Sequence, residues 1–253
     1  MKIAVCIKQV PTREWQPRLT DDRRWVRDTD ISYEMNEPDA YALEEALRLK
    51  EKHGGEVVVI SAGPARVQQV IREALARGAD RAIHVQDDAL GVADAWAGAL
   101  AVAAAVKDEG FDIVLTGLQS DDQGHGQFGP VLAERLGMPH STIIMEVQIA
   151  DGRLRAKREL EGGWFQYVTM PLPALLTIQS GINQLRYATL KGIMAAKKKD
   201  IRVAAPAAPV ASRTRVVSLS LPQKSKQTAM IGGTPQEAAR ELVRRLREEA
   251  RAL

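Results

Sequence analysis

The residues best placed for chemistry lie in one loop, Thr116-Gly117-Leu118-Gln119-Ser120-Asp121-Asp122-Gln123-Gly124-His125-Gly126-Gln127-Phe128-Gly129-Pro130. Its glycines permit positive φ and close backbone approach, and the helix expected to follow offers free amide donors at its positive dipole end. That combination suits a phosphate, and Gln119, Ser120, Asp122 and Gln127 supply side chains able to hydrogen-bond a nucleotide. The spacing is neither a P-loop nor a dinucleotide fingerprint, so on spacing alone a flexible loop is the better reading. Two more polar loops, Ser61-Ala62-Gly63-Pro64 and Met35-Asn36-Glu37-Pro38-Asp39, each precede a helical pattern. Helix capping by Asn36 or Asp39 explains the second as readily as ligand binding does. Nucleotide binding gains weight only if the fold brings all three loops together.

Other chemistries find little support. A single cysteine, Cys6, excludes an internal disulfide. His53, His84, His125 and His140 are scattered, and no Cys/His cluster has metal-ligand spacing, so no metal site is expected. Redox work would need a borrowed cofactor. No apolar run reaches the roughly 20 residues of a membrane helix, and Met1 leads straight into a strand-like segment without a secretory pattern, so a cytoplasmic location without membrane insertion is expected. The net charge of +3 is unevenly spread. Residues 191–253 carry 14 Lys/Arg against 5 Asp/Glu, a net of +9, and residues 1–190 carry 21 against 27, a net of −6. A basic tail invites a nucleic-acid reading, but no aromatic residues interleave with its charges and no such module is recognisable, so no nucleic-acid partner is expected. An acidic protein surface is an equally good target.

The elements that must position these loops follow from periodicity. Lys2–Ile7, Glu56–Ile60, Arg81–Val85 and Asp112–Thr116 are short Val/Ile-rich runs that read as buried strands. Helical patterns over Ala40–His53, Arg66–Arg77, Val92–Lys107 and Gln127–Leu136 alternate with them. Alternation of this kind specifies right-handed βαβ crossovers and an α/β, doubly wound, mostly parallel sheet of Rossmann-like type. Ligands of such sheets bind outside the carboxyl ends of the strands, where crossovers diverge, which selects the loops after Ile7, Ile60 and Thr116.

From Thr142 the texture changes. Ile143–Ile149, Leu154–Leu160, Trp164–Met170 and Ala174–Ile178 alternate in polarity and are punctuated by Asp151-Gly152 and Gly162-Gly163, which predicts antiparallel hairpin additions. Ala204–Ala211 reads as an extended arm. At the far end Thr234 and Glu237 form a capping-box pattern, Pro235 takes the first helical position, and Leu242, Val243, Leu246 and Leu253 make an apolar stripe. The stripe is expected to pack either on its own body or on a partner subunit. The expected division is residues 1–190 as a nucleotide-binding domain with its hairpin extension, and 191–253 as the end of a loop, a basic arm and the terminal helix.

Several segments together carry a family resemblance. Val5-Cys6-Ile7-Lys8-Gln9-Val10-Pro11, Asn36-x-Pro-Asp, Ser61-Ala62-Gly63-Pro64 and the loop from Gly117 to Gly129 are similar to electron-transfer flavoprotein beta subunits. A later stretch resembles that family's signature: Leu172-Pro173-Ala174, Thr177, Asn183, Arg186-Tyr187-Ala188-Thr189-Leu190, Ile193-Met194 and Ala196-Lys197-Lys198-Lys199. The likeness spans about residues 1–200. It implies a heterodimer in which a larger alpha subunit holds the redox FAD and this chain, an electron carrier subunit rather than an enzyme, walls the flavin.

The resemblance further implies a structural AMP touching Cys6, Asn36, Glu37, Pro38, Asp39, Ala62, Gln119, Ser120, Asp122, Gln127, Phe128 and Gly129. In a bifurcating branch a second FAD takes that place and accepts hydride from NADH. Phe128 stands where the family often has Thr or Val. Ala95, in Ala93-Asp94-Ala95-Trp96-Ala97, replaces a Thr of the bifurcating-type motif, which favours AMP. Leu190 matches the family's docking anchor for flavin dehydrogenases, flanked by Tyr187, Lys191, Lys197, Lys198 and Lys199, and electrons would leave to a quinone oxidoreductase. A stand-alone adenine-nucleotide enzyme is the rival from another class. Asp121-Asp122 would serve it as metal ligands, but no Lys-Ser/Thr follows.

Overall fold

The computed structural model describes residues 1–29, 31–222 and 228–252. In chain order, strand β1 is Lys2–Cys6, β2 Gln9–Pro11, β3 Tyr33–Met35, helix α1 Glu37–His53, β4 Glu56–Gly63, α2 Gln68–Arg77, β5 Arg81–Gln86, α3 Ala95–Val106, β6 Ile113–Gly117 and α4 Phe128–Leu136. Then follow β7 His140–Ala150, β8 Arg153–Glu159, β9 Phe165–Pro171, β10 Ala174–Ile178, α5 Leu190–Ala196, β11 Ile201–Ala204 and α6 Pro235–Glu248.

Nine strands form one sheet in the order β11-β5-β4-β1-β6-β10-β7-β8-β9. From β11 to β7 all neighbours run parallel. Helices cover both faces, and that is why the strands are apolar throughout rather than alternating. One face buries Ile3, Val5, Val57 and Leu115 against Leu43 and Leu47 of α1 and Ile71 and Leu75 of α2. The other packs Val58, Ile60, Ile83 and Val114 against Val102 of α3 and Leu132 of α4. The helices therefore change sides between β1 and β6, making the doubly wound sheet expected from the alternation.

The hairpin region departs from expectation at one strand. Ala174–Ile178 is not an antiparallel addition: β10 lies inside the parallel sheet between β6 and β7. All five of its residues are buried, so a strand with no exposed face has no alternation to report its direction. Strand β7 is divided, its first half running parallel to β10 and its second half antiparallel to β8. The extra residue breaks the register at Ile143, whose φ is 61°. The second half of β7, β8 and β9 extend the sheet as the expected antiparallel hairpins.

Beyond residue 190, β11 completes the parallel edge beside β5, an element the sequence did not announce. Between Ala204 and Pro235 the described residues form no helix or strand. Helix α6 carries the expected capping box at Thr234 and Glu237, yet none of its residues is buried. Of its stripe, Leu242 and Val243 are exposed and Leu246 is half-buried, and Leu253 lies outside the described residues.

A cleft at the sheet switch point

The three polar loops do converge. A cleft opens between the carboxyl ends of β1, β4 and β6, bordered by the first turns of α1, α3 and α4. Cys6, Asn36, Asp39, Ala62, Gln119, Ser120 and Phe128 line it. Of the remaining candidates, Gln127 is exposed beside it, Glu37 faces Arg13 in an ion pair, and Asp122 bonds Lys8. Pro38 and Gly129 are packed behind the wall.

Asn36 and Asp39 do more than the capping expected of them. Asn36 makes no side-chain cap bond to α1. Its amide instead donates to the Gln119 carbonyl (2.9 Å), and its Oδ1 accepts from the Asp121 amide (2.9 Å), which fixes the long loop from a helix 83 residues away in sequence. Asp39 ties two strands together: Oδ2 accepts from Lys8 N (2.8 Å) and Oδ1 from Gly117 N (2.9 Å). Gly117 has no room for a side chain, because a Cβ there would lie 2.3 Å from Asp39 Oδ1 and 2.8 Å from Pro38. Burial pushes the Asp39 carboxyl up to about 7, outweighing the amide donors that favour the charged form. The neighbouring Cys6 thiol is pushed up as well, by burial first and by Asp39 second, which leaves it an inert wall rather than a thiolate nucleophile.

The cleft is two-sided in character. Ile60, Leu90, Ala93, Val102 and Phe128 make an apolar slot, the kind of surface that takes a flat base. At the other side stand Lys8, Ser120, Gln123 and His125. Lys8 Nζ reaches Asp122 Oδ1 (2.7 Å), Gln123 Oε1 (2.9 Å) and Ser120 Oγ (3.3 Å), so this cation organises the polar end of the loop. Helix α4 begins there without a side-chain cap at Gln127. Gly129 lets the helix start lie close on the sheet, since a Cβ there would meet Thr177 Cγ2 at 2.4 Å and Thr116 Oγ1 at 2.9 Å. Gly124 and Gly126, with φ of 63° and 61°, turn the loop back toward that helix start. An uncapped helix N-terminus, an ammonium group and a hydroxyl beside an apolar slot are a donor set that fits a nucleoside phosphate.

Local pattern did not mark Lys8 or Asp94 as residues of the cleft, whereas Gln123 and His125, which also line it, lie in the loop it marked. Lys8 had a signal, being the polar residue at the end of the first strand. Asp94 caps α3 through Ala97 N (2.9 Å), and the same carboxylate accepts from Arg213 N (2.7 Å) and Thr214 N (2.9 Å). Arg213 also stacks on Trp96 at 3.7 Å, so the arm is fastened beside the cleft.

The docking candidates form a second region at α5. Tyr187 and Leu190 are 91% and 84% exposed, and Lys191, Lys197 and Lys198 are exposed with them. Lys199 is turned inward instead, donating to the carbonyls of Leu75 (3.0 Å) and Ala79 (2.5 Å) at the end of α2.

The model of the electron transfer flavoprotein domain family matches residues 24–209. The chain is 39% identical to the electron transfer flavoprotein subunit beta of Methylophilus methylotrophus, over 98% of each chain. It is 40% identical to that of Syntrophomonas wolfei, over 96% of this chain and 94% of the relative, and 33% identical to that of Bacillus subtilis over the full length of both. The chain belongs to the electron transfer flavoprotein beta-subunit family. As a beta subunit of this family it joins a switch-point cleft to an exposed apolar helix start at Leu190. Among the described residues, no helix is long and apolar enough to cross a membrane.

Proposed function

We propose that the chain is the beta subunit of a heterodimeric electron carrier, that it holds one AMP in the switch-point cleft, and that it presents Leu190 to flavin dehydrogenases. The observation that carries the reading is the cleft itself, an apolar slot beside Lys8, Ser120 and the uncapped start of α4. The slot would take the adenine and the polar end the phosphate. Ala95 lines the cleft with a methyl group, offering no hydroxyl to a larger flavin nucleotide. Both oxygens of Asp39 are occupied by the amides of Lys8 and Gly117, and burial keeps the Cys6 thiol from ionising, so the two residues serve as walls of the cleft.

The FAD of the alpha subunit supplies the redox chemistry, and this chain contributes packing against it, the docking surface and the arm. Exposure of Leu242 and Val243 on the apolar stripe of α6 supports a helix meant for the partner subunit. Lys191, Lys197 and Lys198 around Leu190 would steer acidic dehydrogenases and raise encounter rates. A quinone oxidoreductase is the proposed acceptor.

Co-expression with an alpha subunit tests the reading. A yellow 1:1 complex that releases AMP alongside one FAD is expected. Two FAD and no AMP would move the chain to the bifurcating class, and a colourless chain with its own turnover and no affinity for alpha would overturn the proposal.

A further inference from the structure

The segment that carries Leu190 is tied down at four points. On its amino side, Arg186 spans two carboxylates of α1. Its Nε donates to Glu44 Oε2 (2.7 Å) and Nη2 to Glu44 Oε1 (3.1 Å), while Nη1 and Nη2 donate to Glu51 Oε1 (2.6 Å) and Oε2 (3.2 Å). Glu44 is buried, and Arg48 bonds its Oε1 (2.9 Å) while also donating to the Gln184 carbonyl (3.0 Å). Burial alone would raise the Glu44 carboxyl, yet Arg186 and Arg48 together hold it below its ordinary range. Next, Thr189 caps α5 by accepting from Gly192 N (3.0 Å). Gly192 then lies so close to α2 that a Cβ there would be 2.3 Å from the Ala76 carbonyl oxygen. On the carboxyl side, Arg72 of α2 donates to the carbonyls of Ala196 (2.6 Å) and Lys199 (2.8 Å).

Between these ties the apolar side chains point outward: Leu190, Ile193 and Met194 are all exposed. A short segment that buries almost nothing of its own would otherwise be free to move, and binding would have to order it. Here the polar ties replace a core.

We infer that Arg186 is a positioning residue for electron-donor recognition: by bridging Glu44 and Glu51 it preorganises the Leu190 segment, so that a dehydrogenase meets a docking element already in its bound shape. The inference rests on the proposed docking role of Leu190. Preorganisation of this kind acts on affinity, since a rigid element spares the ordering cost of association. Its loss therefore raises KM and leaves kcat alone. A bidentate guanidinium is required, because a lysine is a single point charge that cannot span both carboxylates in fixed geometry.

The test uses the complete alpha–beta complex and a purified flavin dehydrogenase that reduces the wild-type complex. Arg186→Gln leaves Arg48 to pair with Glu44, so the fold keeps a partner for its buried carboxylate. The variant should speed amide exchange across 186–194 and raise KM for the complex about tenfold at unchanged kcat. Arg186→Lys should restore only part of either effect. Glu51→Gln, a change at an exposed carboxylate, should shift both readouts the same way by a smaller factor, and it serves if Arg186→Gln fails to assemble. Leu190→Ala, measured alongside, should raise KM without changing exchange. If Leu190→Ala leaves KM unchanged, the docking role itself falls. If Leu190→Ala raises KM while the Arg186 and Glu51 variants keep wild-type exchange or wild-type KM, the docking role stands and the positioning role is overturned.

Discussion

Replacing Asp39 by Asn should change how stability depends on pH more than it changes stability itself. Asp39 is buried at the junction of β1, β6 and α1, where the backbone amides of Lys8 and Gly117 and the side chain of Asn36 are its hydrogen-bond partners. Its folded pKa of about 7 stands above the ordinary 3.8, so the folded chain holds a proton that the unfolded chain has released. The sign follows from linkage. The stabilising contribution is complete below about pH 4 and is lost as pH rises through 7. Three units correspond to about 4 kcal/mol between those limits, at 1.36 kcal/mol per unit. An asparagine side chain has nearly the shape of the acid and cannot titrate, but its Nδ2 would face the amide of Lys8 or Gly117 donor to donor, a penalty of about 1–3 kcal/mol at every pH. The Asp39→Asn variant should therefore be the less stable form near pH 4.5, and the difference should move in its favour by about 3 kcal/mol between pH 4.5 and 8. Urea midpoints followed by circular dichroism at pH 4.5, 6 and 8 read this directly. A stability gap that stays constant with pH would refute the reasoning. It would show that the Lys8 and Gly117 amides hold the carboxylate charged despite its burial.

Gly129→Ala should cost about 1–3 kcal/mol by overpacking against Thr177 and Thr116, seen as a lower Tm, and should weaken AMP binding by displacing the start of α4. Retained Tm and affinity would mean that the helix shifts freely on the sheet. Leu190→Ala should cost about 2 kcal/mol of dehydrogenase affinity, a KM increase of tenfold or more, with FAD content unchanged; loss of FAD would point instead to a structural role. Asp94→Ala removes the α3 cap, worth about 1 kcal/mol, and unfastens the arm. Trypsin should then cut faster after Arg213 and Arg215, and equal cleavage of both proteins would show that the arm is held elsewhere.

Much of this molecule was legible from local pattern. Val/Ile runs separated by helical periods already implied a two-sided parallel sheet, because a strand buried on both faces has to be apolar at every position. The glycine-rich run after the fourth such strand marked the cleft, and Thr234-Pro235 with Glu237 marked the start of α6, because capping is chemistry between residues three apart. The same completeness of burial hid β10: in Ala174–Ile178 no polar residue alternates, so nothing local records that it lies parallel between β6 and β7.

What local pattern could not reach was every role set by distant segments. Asn36 and Asp39 read as helix caps, and their partners at Gln119, Asp121 and Gly117 come within reach only when the sheet closes. Nothing local gave Lys8 a role, because its partner Asp122 lies in a loop 114 residues away in sequence. Lys199 read as one of three equal lysines, but the carbonyls at the end of α2 turn it inward. Periodicity reports which face of an element is buried, and its range is a few residues. Which element lies on that face depends on contacts between segments about 80 to 140 residues apart, and these exist only once the chain has closed on itself.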